Sequence, residues 1–517
     1  MGGIRQHIVP PTPWWLIVGL SLLWSWTIYL VGYFVRPEGS SFTWVTQDHA
    51  LDVQFYLSLA AQQADGRWFF YDLFTTEPHR PVFFSLHHWL VGFVSSHTGM
   101  SLTASYHLIR SLGIVAFHWT AWQLSKQFLK PEQAPLFLFL LSFTAGLIGF
   151  WHAMPELYTP MAFLGVSPFV WGLTLTMGSV IGVVRSPTTI GWSVVSAFLF
   201  LLLVLTDPSP FPALLFCLLI WTILEGWISG NWRFNKLAAV LPGVIALLSL
   251  GLYWMSDPAG RAVASPPLPP PPIWQVAVAH GWLIVAGVPC VSSAWREDPR
   301  WRLVILWIVS TAIVVYLNPF LRPRRLFEGV HIPLCLLATR GWYEKILPNS
   351  ALISRHPLLV RIFLILGICS GLIHYSLWQI EQFRSNRALT EKGEGMPLYL
   401  SQCEIEALNW LRSYKEPGAV LCSYQLGPYV PPWTKRKVFV GHWSGTVNLM
   451  EKLRAVRLIL TGEMPFPTAS HLFRNHHIRF ALITDYERRL AAGPIQLDRY
   501  GRKIFEFGDC SVYRLKW

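Results

Sequence analysis

The sequence predicts a mainly α-helical protein that crosses a membrane many times and ends in a small α/β domain. Two observations lead to this fold class. Of the 517 residues, 53% are apolar and 13% are charged, and the charged share is about half that of an ordinary soluble protein. The apolar residues form long uncharged blocks, whereas residues 381–517 mix charges of both signs with short apolar stretches. Most of the chain is therefore expected to lie in lipid, which excludes an ordinary soluble enzyme.

The first predicted membrane span covers residues 14–35, which carry no charge. At about 1.5 Å per residue, this stretch can cross a hydrocarbon core roughly 30 Å thick. It is rich in Trp and lacks the short apolar region and small-residue cleavage site of a signal peptide, so we expect it to be retained. Ten further spans are predicted at residues 103–126, 134–151, 168–184, 190–206, 211–229, 237–255, 275–294, 302–318, 326–343 and 358–379.

The basic residues of the connections indicate the orientation. With the N-terminus in the cytoplasm, these eleven crossings place most of them on the cytoplasmic side, as the positive-inside rule expects. They are Lys126, Lys130, Arg185, Arg233, Lys236, Arg296, Arg300, Arg302, Arg340, Lys345, Arg355 and Arg361. The opposite connections 152–167 and 207–210 contain no Lys or Arg. We therefore expect a multi-pass protein of the plasma (inner) membrane with residues 381–517 outside.

One apolar stretch, residues 82–97, is too short for an ordinary span and contains three histidines. Counting it as a span would invert every later connection. We expect it to lie along the outer interface, with its Phe and Trp side chains in lipid and its histidines toward water. A short true span is the alternative. The predicted domains are a transmembrane domain at 1–380, with a first outer loop at 36–102, and an extracytoplasmic α/β domain at 381–517.

The net charge of +13 gives little sign of a nucleic-acid partner. The charges of the tail are dispersed and mixed in sign, which is typical of a solvated surface. Three arginines, Arg322, Arg324 and Arg325, fall outside against the orientation rule. Either the topology is wrong there, or they reach for lipid headgroups, or they form an anion site, since guanidinium forks suit phosphate geometry.

Three of the seven cysteines, Cys403, Cys422 and Cys510, lie in the tail at no metal-ligand spacing. If the tail is extracytoplasmic, one disulfide with one thiol left over can form there. The other four cysteines lie in apolar stretches and are interpreted as small core residues.

Asp48 and Asp52 are the first candidate functional residues. Because they are four apart, they share one face of a helix, and two neighbouring carboxylates repel unless a cation, a hydroxyl or a proton lies between them. Leu51, Phe55 and Leu59 form a neighbouring apolar stripe that would rest on the membrane surface. Solvated acidic residues on an exposed helix are the alternative interpretation.

A second polar group precedes the interfacial stretch and contains Asp72, Glu77, His79 and Arg80, with Arg80 as the only base near it. The histidines of this region show no tight ligand spacing, so scattered interfacial histidines are a commoner explanation than a metal site. Farther along, Glu156 lies in the second outer loop.

The first outer loop carries a motif set that resembles a known family. After the first membrane helix, the loop contains Asp52-Val-Gln-Phe-Tyr56, then Gly66-Arg-Trp68, then Arg80-Pro81. This pattern is similar to that of the GT-C glycosyltransferases, and most of all to the branch of protein O-mannosyltransferases and aminoarabinose transferases. The architecture fits along the whole chain, whereas the sharp motifs occupy only residues 48–81.

The resemblance implies a membrane glycosyltransferase that acts at the outer face of the plasma membrane. Its donor would be a sugar linked to a polyprenyl phosphate, and its acceptor a glycan, lipid or protein. The family's catalytic Asp falls on Asp52, and Asp48 remains an alternative because it precedes Tyr56 on the same face. The family's donor-phosphate Lys falls on Arg80, and its second acid, usually Asp, falls on Glu156.

The implied reaction is an inverting displacement. Asp52 would accept the proton of the acceptor hydroxyl as that oxygen attacks the anomeric carbon. Arg80, with Arg324 and Arg325, would neutralise the charge on the leaving phosphate, and Glu156 would orient the sugar or Arg80. The predicted substrate-binding set is Tyr56, Arg80, Glu156, Arg324, Arg325 and His79. No metal ligand is predicted, because the family's acidic-x-acidic motif is absent; a divalent cation such as Mg²⁺ is left open.

The tail alternates helix and strand patterns. Helices are predicted at Glu404–Arg412 and Val447–Thr461, and strands at Gly418–Ser423, Lys437–Gly441, Arg479–Thr484, Lys503–Phe507 and Cys510–Leu515. Between them, the stretch 441–446 could contact a glycan through stacking of Trp443. Alternatively it forms a turn, with Ser444 or Thr446 as a helix N-cap.

Two other functions compete with sugar transfer. A transporter or lipid flippase would place ionisable residues near mid-membrane and often shows an internal repeat. Neither feature is clear in the sequence, although Glu225 and Glu328 lie near span ends. The third candidate is an inactive scaffold with the GT-C architecture, which the residues alone do not distinguish from an enzyme.

Overall fold

The structure is a computed structural model that describes residues 12–81, 83–146, 155–186, 190–230, 232, 235–264, 268–317, 323–350 and 357–517. The predicted features Arg233, Arg322, Arg355, residues 147–151 of one span and residue 318 of another lie outside the described residues. The chain divides into two compact units. The first, here the span unit, comprises Met1–Thr27, His107–Leu250 and Pro267–Trp378. The second, here the loop–tail unit, comprises Ile28–Tyr106, Gly251–Pro266 and Gln379–Trp517.

Helices account for most of the described chain. The first part contains α1 (Trp14–Phe34), α2 (Ala50–Gln63), α3 (Leu86–Thr98), α4 (Leu102–Phe128), α5 (Ala134–Phe143), α6 (Thr159–Leu164), α7 (Ser167–Arg185), α8 (Ile190–Thr206), α9 (Phe211–Ser229), α10 (Asn235–Ala238), α11 (Leu241–Met255) and α12 (Pro258–Ala264). The second part contains α13 (Ile273–Ala279), α14 (Gly281–Gly287), α15 (Val291–Glu297), α16 (Pro299–Tyr316), α17 (His331–Gly341), α18 (Leu347–Asn349), α19 (Pro357–Glu391), α20 (Gln402–Ser413), α21 (Val430–Thr434), α22 (Leu449–Leu460), α23 (Phe466–Asn475) and α24 (Asp485–Ala491).

Several of these helices are apolar enough to cross a membrane. Within the described residues, four pass by length and composition, namely α1, α7, α9 and α16, and a bent pair formed by Ile273–Ala279 and Gly281–Glu297 makes up to five. The protein is thus a mainly helical membrane protein, as predicted. The predicted span 275–294 is not one straight helix, because the chain bends by 79° at this break. Pro289 contributes a further irregularity, since a proline inside a helix removes a backbone hydrogen bond and a 3₁₀ turn replaces the α-helix at Val288–Cys290.

Polar side chains tie the helices of the span unit together. His118 on α4 hydrogen-bonds with Ser21 on α1 at 3.1 Å and with Ser142 on α5 at 2.8 Å. Arg302 on α16 donates to both carboxylate oxygens of Glu225 on α9, at 2.6 and 2.9 Å. Each of these polar groups thus has a partner inside the unit, as buried polar groups require.

The loop–tail unit contains two small sheets. Strand β1 (Ser40–Phe42) pairs antiparallel with β2 (Tyr399–Ser401). Strands β3 (Ala419–Leu421), β4 (Ile478–Ile483), β5 (Gly501–Phe507) and β6 (Cys510–Leu515) form the second sheet in the order β3-β4-β6-β5, with only the β3–β4 pair parallel. Four of the five predicted tail strands are therefore present. The fifth, Lys437–Gly441, forms only an isolated bridge between Val438 and Val420.

The disulfide of the tail joins Cys403 on α20 to Cys510 on β6. Cys422, at the end of β3, is a buried free thiol. The tail thus holds one disulfide with one thiol left over, which is the arrangement that the sequence permits for an extracytoplasmic domain.

The interfacial stretch is arranged differently from the prediction. Its helix α3 begins at Leu86, and His87 and His88 are buried rather than turned toward water. The reason is the packing of α3 on α2: the ring of His88 packs against the ring of Tyr56 in a tilted arrangement, with 4.7 Å between centroids. Gly92 makes the close crossing possible, because a Cβ there would clash with the carbonyl oxygen of Ala60. His97 at the end of the helix is exposed.

The apolar stripe of α2 also differs from the prediction. Phe55 and Leu59 lie in a hydrophobic core together with side chains of α20 and β4, such as Leu408 and Phe480. They do not rest on a membrane surface. Burial of two such side chains stabilises the unit by roughly 1.5–3 kcal/mol each. The core therefore fixes α2, which carries Asp52, to the tail.

Candidate active site

Asp52 lies in the first turn of α2, where a carboxylate interacts favourably with the positive end of the helix dipole. Most of α2 is buried, including Val53, Gln54 and Phe55. The side chain of Asp52 nevertheless keeps 41% of its surface exposed. Tyr56, four residues later, is partly exposed on the same face. The helix thus holds one reachable carboxylate on a rigid support.

Asp48 has a different environment. It lies on a 3₁₀ turn, Gln47–His49, ahead of α2. Its Oδ1 accepts a 2.7 Å hydrogen bond from Gln379 Nε2, and its Oδ2 lies 3.3 Å from His49 Nε2. The side chain is 22% exposed. Asp48 is therefore hydrogen-bonded by Gln379 and is less accessible than Asp52.

The carboxylate of Asp52 faces a residue of the tail that the sequence did not single out. His442 Nε2 lies 3.8 Å from Asp52 Oδ1. The imidazole belongs to the stretch 441–446, which forms a buried turn. Thr446 Oγ1 holds this turn by accepting from the backbone N–H groups of Gly441 and His442 and by donating to the carbonyl of Phe74. The alternative of an N-cap at Ser444 or Thr446 is wrong, because Asn448 occupies that position, without a side-chain cap.

Arg80 is anchored by its backbone and leaves its guanidinium largely exposed. Its N–H donates to Asp257 Oδ2 at 3.0 Å, and its Nη2 donates to Ser256 Oγ at 3.0 Å. The Asp257 carboxylate is buried and lies 3.8 Å from Arg80 Nε, but 61% of the Arg80 side chain is exposed. Asp257 also accepts from the N–H of Ala259 at the start of α12. An Asp directly before Pro258 is a helix-start signature that could have been found in the sequence.

Both ring nitrogens of His79 are engaged within its own loop. Nδ1 donates to the carbonyl of Glu77 at 2.8 Å, and Nε2 accepts from the backbone N–H of Asp72 at 3.1 Å. Burial lowers the pKa of His79, so the ring is neutral at physiological pH. The imidazole therefore holds the shape of the loop at 72–79.

A buried charge cluster lies beside this loop. Lys452 on α22 pairs with Glu77 at 2.7 Å, and Lys437 Nζ donates to the Glu77 carbonyl. Burial raises the pKa of Asp72 to about 7, although its carboxylate accepts from the N–H of Phe74 and both lysines oppose the shift. The pKa of Glu77 is lowered, since Lys452 and Thr75 outweigh its burial. The sequence suggested that Arg80 is the only base near this group. The structure shows that this is wrong, because Lys437 and Lys452 also lie there.

The span unit brings together Glu156 and Arg324. Arg324 donates to Glu156 Oε1 through Nε at 3.2 Å and Nη2 at 3.0 Å. The Glu156 side chain is only 7% exposed, and that of Arg324 is 27% exposed. The guanidinium of Arg325 lies over the ring of Phe169, 4.6 Å from its centroid. A small, partly enclosed cavity adjoins the pair and is lined by Glu156, Tyr158, Thr159, Phe169, Glu328 and His331.

Among the described residues, no group of three or more His, Cys, Asp and Glu side chains is arranged to hold a metal ion. Three carboxylates of the loop–tail unit are bonded to protein groups: Asp48 to Gln379, Asp72 to the backbone of Phe74, and Glu77 to Lys452. Asp48, Asp72 and Glu77 therefore each accept a hydrogen bond or an ion pair from another group of the protein.

Comparison with known proteins finds no matching family model and no matching curated protein. Solved structures do match. An oligosaccharyltransferase of Archaeoglobus fulgidus, tethered with an acceptor peptide containing the NVT sequon, superposes with a TM-score of 0.56 at 13% identity over 98% of this chain and 74% of that one. The same archaeal enzyme, AglB, in complex with an inhibitory peptide and a dolichol-phosphate, gives 0.57 at 13% identity over 97% and 74%.

A second matching enzyme is ArnT from Cupriavidus metallidurans, in a structure bound to undecaprenyl phosphate. It superposes with a TM-score of 0.56 at 12% identity, over 96% of this chain and 98% of that chain. ArnT is an aminoarabinose transferase, and both it and AglB are GT-C glycosyltransferases. At such low identity the likeness concerns the fold, and it extends over nearly the whole chain. The chain therefore has the fold of the GT-C glycosyltransferases.

Proposed function

We propose that this protein is a membrane glycosyltransferase that transfers a sugar from a polyprenyl-phosphate-linked donor to an acceptor at the outer face of the plasma membrane. The observation that carries the proposal is Asp52: a reachable carboxylate on a helix that is mostly buried, in a chain with the GT-C fold. A lipid-linked donor is too apolar to leave the bilayer, so its transferase has to work at a membrane surface.

Asp52 acts as the general base in this proposal. The acceptor oxygen attacks the anomeric carbon, its proton passes to Asp52, and the bond between that carbon and the phosphate oxygen breaks. The electron pair of the broken bond stays on the phosphate. A single displacement of this kind inverts the anomeric centre. Asp48 is the weaker candidate, because Gln379 already occupies one of its oxygens and its side chain is less exposed.

Arg80 provides positive charge for the leaving phosphate. Its backbone is fixed by Asp257 while its guanidinium remains accessible. A guanidinium presents a planar fork of donors that matches phosphate oxygens, and it neutralises developing charge without any proton transfer. Tyr56, on the same face of α2 as Asp52, is proposed to contact the substrate. His79 is given a positioning role, because both its nitrogens bond within the loop.

The Glu156–Arg324 pair belongs to the span unit, and its role is proposed independently of Asp52 and Arg80. Glu156 fixes the plane of the Arg324 guanidinium, because Nε and Nη2 on one edge of that group both donate to its carboxylate. A guanidinium held in this way is preorganised for an anion, because less side-chain entropy is lost on binding. Arg325, over Phe169, adds a second positive charge. We propose that these arginines bind an anionic group of a substrate.

Donor consumption by purified protein in proteoliposomes tests the proposal. The substrates are radiolabelled sugars linked to polyprenyl phosphate, and the proteins are the wild type, Asp52→Asn and Asp48→Asn. We expect Asp52→Asn to lose about 10²-fold or more of kcat, the usual contribution of a general base, and Asp48→Asn to lose far less. Equal turnover by all three would exclude both carboxylates. Absence of turnover by the wild type with every donor would favour a scaffold or a transporter.

A further inference from the structure

His442 is buried against the base that we propose. Its ring packs against Phe55 and Phe74, with centroids 5.0 and 5.5 Å away, and the residue is only 3% exposed. Its Nε2 lies 3.8 Å from Asp52 Oδ1. Phe55 and Asp52 are three residues apart on α2 and therefore share a face of that helix. The imidazole thus lies in an aromatic pocket at the side of the Asp52 carboxylate.

The hydrogen bonds of the turn define which nitrogen of His442 carries the proton. Nδ1 accepts from the backbone N–H of Gly445 at 3.0 Å and of Ser444 at 3.3 Å. A backbone N–H can only donate, so Nδ1 has to present its lone pair. In the neutral ring the proton is then on Nε2. The network therefore assigns the Nε2–H tautomer, in which the N–H group is the one nearest to Asp52.

This N–H group has no hydrogen-bond acceptor within the described part of the chain. A buried donor without an acceptor costs free energy, and buried polar groups are nearly always paired. The distance of 3.8 Å to Asp52 is longer than a hydrogen bond, which spans about 2.7–3.2 Å. Catalytic hydrogen bonds are often long in unliganded structures and tighten when the substrate binds.

We propose that His442 is a positioning residue that donates a hydrogen bond from Nε2 to the Asp52 carboxylate. The bond would hold Asp52 Oδ1 on the side of the tail and leave Oδ2 to accept the proton of the acceptor hydroxyl. This inference rests on the proposed function and deepens it, because it makes the C-terminal domain a part of the catalytic arrangement.

His442 does not serve as the base or as a proton relay. Nε2 already carries its proton, and protonation of Nδ1 would set it against two N–H groups and open the turn. The proton taken up by Asp52 therefore leaves by another route, through product or solvent. The contribution of His442 is the orientation and the stabilisation of the charged carboxylate.

Two further titratable groups lie near His442 and Asp52, and their titration has to be distinguished from that of Asp52 in a pH profile. Burial and, secondarily, the charge of Asp52 raise the pKa of Tyr424 to about 12, so Tyr424 stays neutral at working pH. Asp72 packs against Gly445 of the turn, 3.0 Å from where a Cβ would lie. Its pKa of about 7 falls in the working range. A pH profile of His442 variants therefore needs the Asp72→Asn background as a reference.

Three substitutions of His442 separate its functions. His442→Gln keeps an N–H donor near the position of Nε2. His442→Asn keeps an acceptor for the turn N–H groups but does not reach Asp52. His442→Phe keeps the ring volume with neither polar group. The control is His476→Asn, which removes a half-buried imidazole of the same unit that bonds with Thr76.

The test is the pH profile of donor consumption per folded protein, with folding checked by size exclusion and thermal melting. We expect His442→Asn and His442→Phe to lower kcat by roughly 10-fold or more and to move the acid limb to higher pH, because Asp52 loses a donor that favours its charged form. His442→Gln should recover most of both, and His476→Asn should keep the wild-type limb. KM for the donor should not change.

A double-mutant cycle gives a second measurement. If His442 acts through Asp52, adding His442→Asn to Asp52→Asn should lower kcat no further. Additive losses, or an unmoved acid limb in folded His442→Asn and His442→Phe, would overturn the inference. Failure of the proposed function has a different signature, since the wild type would then consume no lipid-linked sugar. An active wild type with an inactive Asp52→Asn and a normal His442→Asn would remove only the role of His442.

Discussion

The carboxylate of Asp72 packs directly against Gly445: a Cβ at Gly445 would lie 3.0 Å from Asp72 Oδ2 and 3.3 Å from Phe55 Cε2. The first residue belongs to the loop between α2 and α3, and the second belongs to the turn that presents His442. A side chain at Gly445 would therefore have to displace its neighbours by a few tenths of an ångström. The close packing of the turn on the loop depends on the absence of a side chain at this position.

Gly445→Ala should for this reason lower activity more than stability. The added methyl group has to displace the turn by a few tenths of an ångström, which moves His442 relative to Asp52. We expect kcat for donor consumption to fall roughly 10-fold, since small misplacements of catalytic groups are costly. Gly251→Ala is the matched control, because a Cβ there meets nothing within 4 Å. Unchanged turnover in Gly445→Ala would show that the turn tolerates the shift.

Asp72→Asn should change how stability depends on pH. Burial raises the pKa of Asp72 from 3.8 to about 7, so between these values the folded protein keeps a proton that the unfolded chain has released. The contribution of this group to stability is present below about pH 4 and is lost as the pH rises to 7. Three pKa units correspond to about 4 kcal/mol at most.

The melting temperature of Asp72→Asn in detergent should accordingly rise relative to the wild type between pH 5 and pH 8. Asp65→Asn is the control, because that carboxylate is 50% exposed and pairs with Lys435 at the surface. Parallel melting curves of Asp72→Asn and the wild type across this range would contradict the raised pKa.

Arg80→Gln should weaken donor binding while the fold is retained. The substitution keeps the backbone N–H that donates to Asp257 and removes an exposed guanidinium. Loss of a hydrogen bond to a charged group costs about 1.5–3 kcal/mol, so KM for the lipid-linked donor should rise roughly 10-fold or more. Arg80→Lys keeps the charge without the fork and should give an intermediate KM.

The matched control is Arg67→Gln, which removes another arginine of the same loop, one that lies over Tyr71. A KM for Arg80→Gln equal to that of Arg67→Gln would remove Arg80 from the donor site.

Arg324→Gln should destabilise the protein more than Glu156→Gln does. Glu156 is the more buried partner, with 7% of its side chain exposed against 27% for Arg324. Removing the cation leaves a buried carboxylate unpaired, which costs about 3 kcal/mol or more, whereas solvent compensates part of an unpaired Arg324. Melting temperatures of the two variants measured side by side check this order. The reverse order would mean that Glu156 finds other donors.

Thiol counting checks the disulfide. Protein purified from membranes, denatured without reductant, should expose five alkylatable cysteines, namely Cys217, Cys290, Cys335, Cys369 and Cys422, and seven after reduction. Mass spectrometry should find a peptide that links Cys403 to Cys510. Cys403→Ser should lower the free energy of unfolding by about 2–4 kcal/mol. A link that involves Cys422 would contradict the structure.

Local patterns in the sequence predicted much of the secondary structure. The strand predicted at Arg479–Thr484 is present as β4, shifted by one residue, because its apolar residues form a continuous run from Phe480 to Ile483. The helix α24 was missed, although Thr484 and Glu487 form a capping box at its start, and this signal is visible in the sequence. The strand predicted at Lys437–Gly441 is absent, because this segment forms only one β-bridge, between Val438 and Val420.

The arrangement of the candidate site could not be predicted in the same way. Asp52 and Arg80 could be proposed from the sequence because both lie in one short loop with a family pattern. Lys452 pairs with Glu77 across 375 residues, and His442 faces Asp52 over a comparable separation. Such pairs are set by the packing of distant elements, and a local hydrophobic pattern contains no information about them. The burial of His87 and His88 was mispredicted for the same reason.

The hydrogen bonds of the loop–tail unit limit the membrane topology by parity. Arg80 bonds with Asp257, and Asp48 bonds with Gln379, so these three chain segments have to emerge on one side of the bilayer. We therefore expect the chain to cross the membrane an even number of times between residues 106 and 251, and again between residues 266 and 379. Any revised count of spans has to add or remove crossings in pairs within each interval, whichever way the protein faces.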